Sequence, residues 1–167
     1  FVNENIKDVD AAVLSIDSLL FGGLIPSRIH HLDDHTVSRY LDNLRNLKKL
    51  NPKLKIYAFE CIMRSPQYDS SKAYLEDKKN RDGLNDKEKI ELEEIKIPKE
   101  IINDYEWRRN FNLKYNLEVA KLVDEDLIDF LVIPQDDSSE YGYTAIAQKE
   151  VVNYLTEHNL ESKINIY

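Results

Sequence analysis

A chain of 167 residues is long enough to bury one hydrophobic core and short for two, and 42% apolar with 32% charged side chains excludes a disordered or fibrous protein. The formal net charge of -8 argues against nucleic acid as a partner, because phosphates are held by clustered Lys and Arg. No apolar run approaches the roughly 20 residues needed to cross a bilayer, so no membrane span is expected, and the single cysteine, Cys61, allows no internal disulfide and fits a reducing, cytoplasmic compartment.

The first predicted element is a strand at Ala11 to Ile16, "AAVLSI", a nearly continuous apolar run of the kind buried on both sheet faces. A helix is expected from about Thr36 to Lys49, with Val37, Tyr40, Leu41, Leu44 and Leu47 on one face and Asp33 or Asp34 near its start. Pro52 disfavours helix at Asn51, and "LKIYAFECIM", Leu54 to Met63, reads as the second strand. Between Asp69 and Pro98 charges of both signs dominate, which describes a solvated, partly helical insertion. A long helix follows from about Ile101 to Val123, bearing Tyr105, Phe111, Leu113, Leu117, Ala120 and Leu122, and it leads into a third strand, "IDFLVIP". A last helix from Ala145 to His158 carries Ala147, Val151 and Leu155 at inner spacing, and "KINIY" reads as a fourth strand. The start at Phe1 and the stop inside that strand are expected of a piece of a longer polypeptide.

Strands alternating with helices four times predict an α/β fold with a parallel sheet of about four strands, either Rossmann-like and doubly wound or part of a TIM-type barrel. Both place ligands at the carboxyl ends of the strands. The three strand exits in this chain, "IDSLLFGGLIPSR", "MRSPQY" and "PQDDSSEYGY", are long and polar, while the opposite connections "NPK" and "VDEDLID" are short. A site is therefore expected at that edge.

Asp136 and Asp137 are the candidate catalytic pair, since neighbouring carboxylates push their pKa values apart and leave one as an acid. Asp17, Arg28, Arg64, Gln135 and Tyr141 are the candidate substrate contacts, and Gly22 and Gly23 let backbone approach a ligand or make a bend. No Gly-Lys-Ser/Thr follows that double glycine, so a phosphate loop is not indicated, and no cofactor is called for. His30, His31 and His35 with Asp33 and Asp34 lack the His-Glu frame of a zinc hydrolase and suit a helix start, so no metal is assigned. No G-x-S-x-G elbow accompanies the serines. Arg108 and Arg109 on the long helix are expected to serve structure or solvent.

The segments "LSIDSLLFGGLIPSR", "IYAFECIMRSP", the "RRN" at 108 to 110 and "DFLVIPQDDSSEYGYTAIAQ" resemble the bacterial family catalogued as domain of unknown function 4127 (DUF4127), whose members are longer. That resemblance implies a fragment of a larger protein and brings no activity with it. The paired aspartates at a strand end are also similar to those of hexosaminidases, in which the substrate's acetamido group attacks the anomeric carbon. This likeness implies that Asp136 orients the acetamido group and Asp137 protonates the leaving oxygen. The expectation is a carbohydrate-active enzyme, a glycoside hydrolase, with a non-catalytic domain for a small sugar or anion as the alternative.

Overall fold

The computed structural model describes residues 5–64, 67–134 and 139–166, with backbone alone at 67–70. Its strands are β1 (Ala11–Ser15), β2 (Lys55–Phe59), β3 (Phe130–Ile133) and β4 (Ile164–Ile166), all parallel and hydrogen-bonded in the order β1-β2-β3-β4. Its helices are α1 (Ile16–Phe21), α2 (Asp34–Leu50), α3 (Gln67–Arg81), α4 (Asp86–Glu94), α5 (Lys99–Asp124) and α6 (Tyr143–Glu157). The fold is α/β, and the sheet is open, not closed into a barrel.

Local chemistry accounts for the helix ends. Asp33 caps α2 by accepting from Thr36 N at 2.7 Å, and α4 begins with a reciprocal capping box between Asn85 and Glu88. Helix α1 follows β1 without a connecting loop. Ser15 caps it, and Gly22, at φ 85°, ends it in the left-handed conformation that suits glycine.

The strand order has no reversal, so the usual right-handed crossovers put the connecting helices that reach the core, α2, α5 and α6, on the same face. Leu14, Ala58, Leu131 and Ile164 stand side by side in register on that face, beside Ile56 and Ile133. With Leu41, Leu44, Val119, Leu122, Val123, Val151 and Leu155 from the helices they form one core. The other face carries the registered rows Val13, Tyr57, Phe130 and Ser15, Phe59, Val132, where Val13 is 74% exposed and Tyr57 and Phe59 are also exposed. The expectation that β1 is covered on both faces is thus corrected. An apolar run cannot reveal that all crossovers share one side.

At the amino-terminal edge Asp129 joins two strands. Its carboxylate accepts from Lys48 Nζ and Lys55 Nζ, each at 2.8 Å, and from Ile56 N at 2.9 Å. Burial pushes its pKa upward, but these donors outweigh burial and bring it down to about 2. The tight connections at this edge serve strand pairing.

Candidate functional site

The carboxyl ends of β1, β2 and β3 lie in that order along one edge, and buried polar residues are supplied there by the exits of β1 and β2 and by α5. Asp17, in the first turn of α1, is 7% exposed, and its Oδ2 accepts from Cys61 N at 2.9 Å. Glu60 directly follows β2, donates its backbone N–H to Val132 O of β3 at 3.1 Å, and is 2% exposed. Burial raises Glu60 well above the ordinary glutamate value, Asn116 opposes the rise through a hydrogen bond, and the neighbouring Asp17 carboxylate adds to it. Among the described residues Glu60 Oε1 has no hydrogen-bond partner. Asp17 is raised too, chiefly by burial, against the lowering effects of the Cys61 N–H, its own backbone and Arg28. Two buried carboxyls on neighbouring strand ends, with Glu60 pushed towards its neutral form, can donate or accept a proton at this edge.

Helix α5 supplies the opposing wall with a stripe of polar residues at one-turn spacing: Tyr105, Arg108, Arg109, Asn112 and Asn116, all buried. Arg108 donates to His30 O at 3.2 Å and Arg28 O at 3.0 Å, and pairs with Asp104. Arg109 donates to Met63 O and to Tyr105 Oη, while Tyr105 donates to Arg64 O at 3.0 Å. One helix therefore holds the β1 and β2 exits through backbone carbonyls, a job for which the guanidinium fork is suited.

His30 is fixed within this wall. Its Nδ1 accepts from Leu32 N at 3.1 Å, so Nε2 carries the proton and donates to Asn112 Oδ1 at 2.8 Å, while Asn112 Nδ2 donates to Ser27 O at 2.8 Å. Burial lowers its pKa despite the Asn112 hydrogen bond. Asp33 caps α2, and Asp34 accepts from Lys114 and Tyr115, each at 2.8 Å. The histidine–aspartate segment is spent on packing and capping, and among the described residues no group of three or more His, Cys, Asp or Glu is arranged to hold a metal ion.

Of the residues singled out in the sequence, Asp17 stands at the edge, half-buried Arg28 follows it in the β1 exit and contributes favourable charge to it, and exposed Arg64 lies in the β2 exit. Tyr141 is buried in the β3 exit, where its hydroxyl donates to Asp82 and its ring packs on Tyr74 and beneath Arg81. The Asp82 hydrogen bond holds the Tyr141 pKa up to about 12. Gln135, Asp136 and Asp137 lie outside the described residues. Glu60 and the Asn112–Asn116 pair were not singled out from the sequence. The available signals were a lone acid inside the apolar run "IYAFECIM" and polar residues at helical spacing beside an apolar face.

No curated protein and no solved structure matches the chain. A family model does match, over residues 1–167, so the polar exits and the α5 wall are read within one family's fold: the chain belongs to the family described as "Protein of unknown function (DUF4127)".

Proposed function

We propose that the chain is the substrate-binding domain of a carbohydrate-active hydrolase that cleaves a glycosidic bond by carboxyl acid–base chemistry at the carboxyl edge of the sheet. The observation that carries this reading is the pair of buried carboxyls, Asp17 and Glu60, on neighbouring strand ends, next to the strand whose exit bears Asp136 and Asp137. In this reading Asp137 protonates the leaving oxygen, Asp136 supports it, and Asp17, Arg28, Arg64 and Gln135 contact the sugar. Tyr141 acts from behind, through its contacts with α3.

The test is a thermal-shift screen of mono- and oligosaccharides, N-acetylated ones included, followed by a hydrolysis assay of the binders. A ligand at ~100 times its Kd adds about 2.7 kcal/mol and gives a clear rise in Tm. Asp137→Asn is expected to abolish turnover and retain the shift. Absence of a shift with every sugar would remove the carbohydrate reading.

One observation favours a second reading, a binding domain without chemistry: the buried guanidinium groups of Arg108 and Arg109 are committed to backbone carbonyls. A bell-shaped pH–rate profile favours the enzyme, whereas binding without turnover favours this alternative.

A further inference from the structure

His30 is a buried titratable side chain that the proposed chemistry does not use. It lies near the end of the β1 exit, with its ring stacked on Phe21 of α1 at 4.7 Å between centroids and tilted against Phe111 and Trp107 of α5 at 5.0 Å and 6.0 Å. Its two ring nitrogens are engaged in opposite senses. Nδ1 accepts from Leu32 N at 3.1 Å and Nε2 donates to Asn112 Oδ1 at 2.8 Å, an arrangement open only to the neutral ring.

The same few residues tie the exit to α5. Asn112 passes the contact on by donating to Ser27 O at 2.8 Å, while Arg108 donates to Arg28 O at 3.0 Å and to His30 O at 3.2 Å. Partners in these bonds stand 78 to 85 residues apart in sequence, so the exit is held here by α5 and not only by its own turns. Arg28 sits within the fastened stretch, and its charge bears on the Asp17 carboxylate.

A proton on Nδ1 would set two N–H donors against each other where Leu32 now finds an acceptor, and would place a cation in a buried slot. The surrounding charges add to that cost. Helix α5 brings the Arg108 guanidinium, partly offset by its Asp104 partner, and the exit brings His31, whereas α1 meets the ring through the uncharged Phe21. At the start of α2, Asp33 is turned to Thr36 and Asp34 to Lys114 and Tyr115. Burial is the largest influence and lowers the His30 pKa, the Asn112 hydrogen bond opposes it, and Arg108 and His31 add to the lowering. We propose that His30 is an acid-released latch: its neutral ring fastens the β1 exit to α5, and protonation loosens residues 27–32 while the sheet stays folded. The latch rests on these contacts and holds whatever ligand the edge takes. Because the folded pKa is lowered, its contribution is complete above the unfolded value of about 6.5 and is lost as pH falls through the folded pKa.

The experiment uses the whole wild-type chain. Ring ¹⁵N and ¹³C shifts give the His30 tautomer and titration midpoint, and hydrogen exchange, corrected for the pH dependence of intrinsic exchange, gives the protection of Leu32 N over the same range. The expected result is an Nε2–H tautomer at neutral pH and a midpoint below about 6.5. Leu32 protection should fall about tenfold through that midpoint, the factor that loss of one hydrogen bond gives, with the Leu131 amide of the β3–β4 ladder unchanged. His30→Phe keeps a ring in the slot and lacks both nitrogens, so its Leu32 protection should be low at every pH; if that variant fails to fold, the wild-type titration decides alone. A midpoint at or above about 6.5, or Leu32 protection that is constant through the midpoint, would overturn the latch. Simultaneous loss of Leu32 and Leu131 protection would overturn it too, because His30 would then titrate only with global unfolding.

Discussion

The backbone N–H of Cys61 donates to Asp17 Oδ2 at 2.9 Å, so the residue after Glu60 holds the carboxylate that faces Glu60. Glu60 is raised well above its ordinary value by burial, and Asp17 adds to the rise. A raised acid favours the folded state most fully below its unfolded pKa, and that contribution is lost as pH climbs through the folded pKa. Glu60→Gln keeps the shape and removes the titration. Its Tm should therefore rise relative to wild type as pH increases above about 5. A constant difference in Tm between the two proteins, measured by calorimetry across that range, would show that Glu60 does not titrate with folding.

Asp129 moves in the opposite direction. Its folded pKa of about 2 lies below the usual aspartate value, so its contribution is complete above the unfolded pKa near 4 and is lost as pH falls through about 2. The predicted loss for Asp129→Asn at neutral pH is on the order of 2 kcal/mol, shrinking towards zero in acid. Urea denaturation at several pH values checks this.

Arg109 is buried with its guanidinium on Met63 O and Tyr105 Oη. Arg109→Ala leaves the Met63 carbonyl with only the long 3.5 Å bond from Thr144 Oγ1 and is expected to cost about 3 kcal/mol. Arg109→Lys should recover only part of this, because an ammonium lacks the planar fork. Chemical denaturation of both variants gives the ranking, and equal stability of Ala and Lys variants would count against the clamp.

The two faces of β1 should respond unequally. Leu14→Ala removes a core side chain and should cost about 2–5 kcal/mol. Val13→Thr on the open face should change stability by no more than about 0.5 kcal/mol in this chain. Comparable losses at the two positions would mean that the open face is covered in solution.

Much of this architecture was legible because local pattern and tertiary role agree. Val37, Leu41, Leu44 and Leu47 repeat at helical spacing and are all buried along α2, and the apolar run around Val13 and Leu14 does form a strand. The edge that bears the polar exits could also be inferred, since the long and short connections alternate. Glu60 was not legible, because a single acid in an apolar run reads as the solvent-facing residue of a strand until its partners are known. The α5 wall was hidden for a related reason. Arg108 and Asn112 look like a solvated stripe, and only the return of the β1 exit over α5 buries them.

The sequential strand order also bears on how the chain folds. Each strand pairs with its successor, so β1–β2 and β3–β4 can each form within a short stretch of chain, whereas β2 and β3 are separated by the whole segment from Glu60 to Asp129. That connection is about twice as long as the one between β1 and β2, and doubling a loop adds about 0.6 kcal/mol of closure entropy. The two halves of the sheet are expected to assemble early, with the β2–β3 seam closing last and setting the rate. The carboxyl edge, which draws Asp17 and Glu60 from one side of that seam and the strand before Asp136 from the other, would then be completed in the final step of folding.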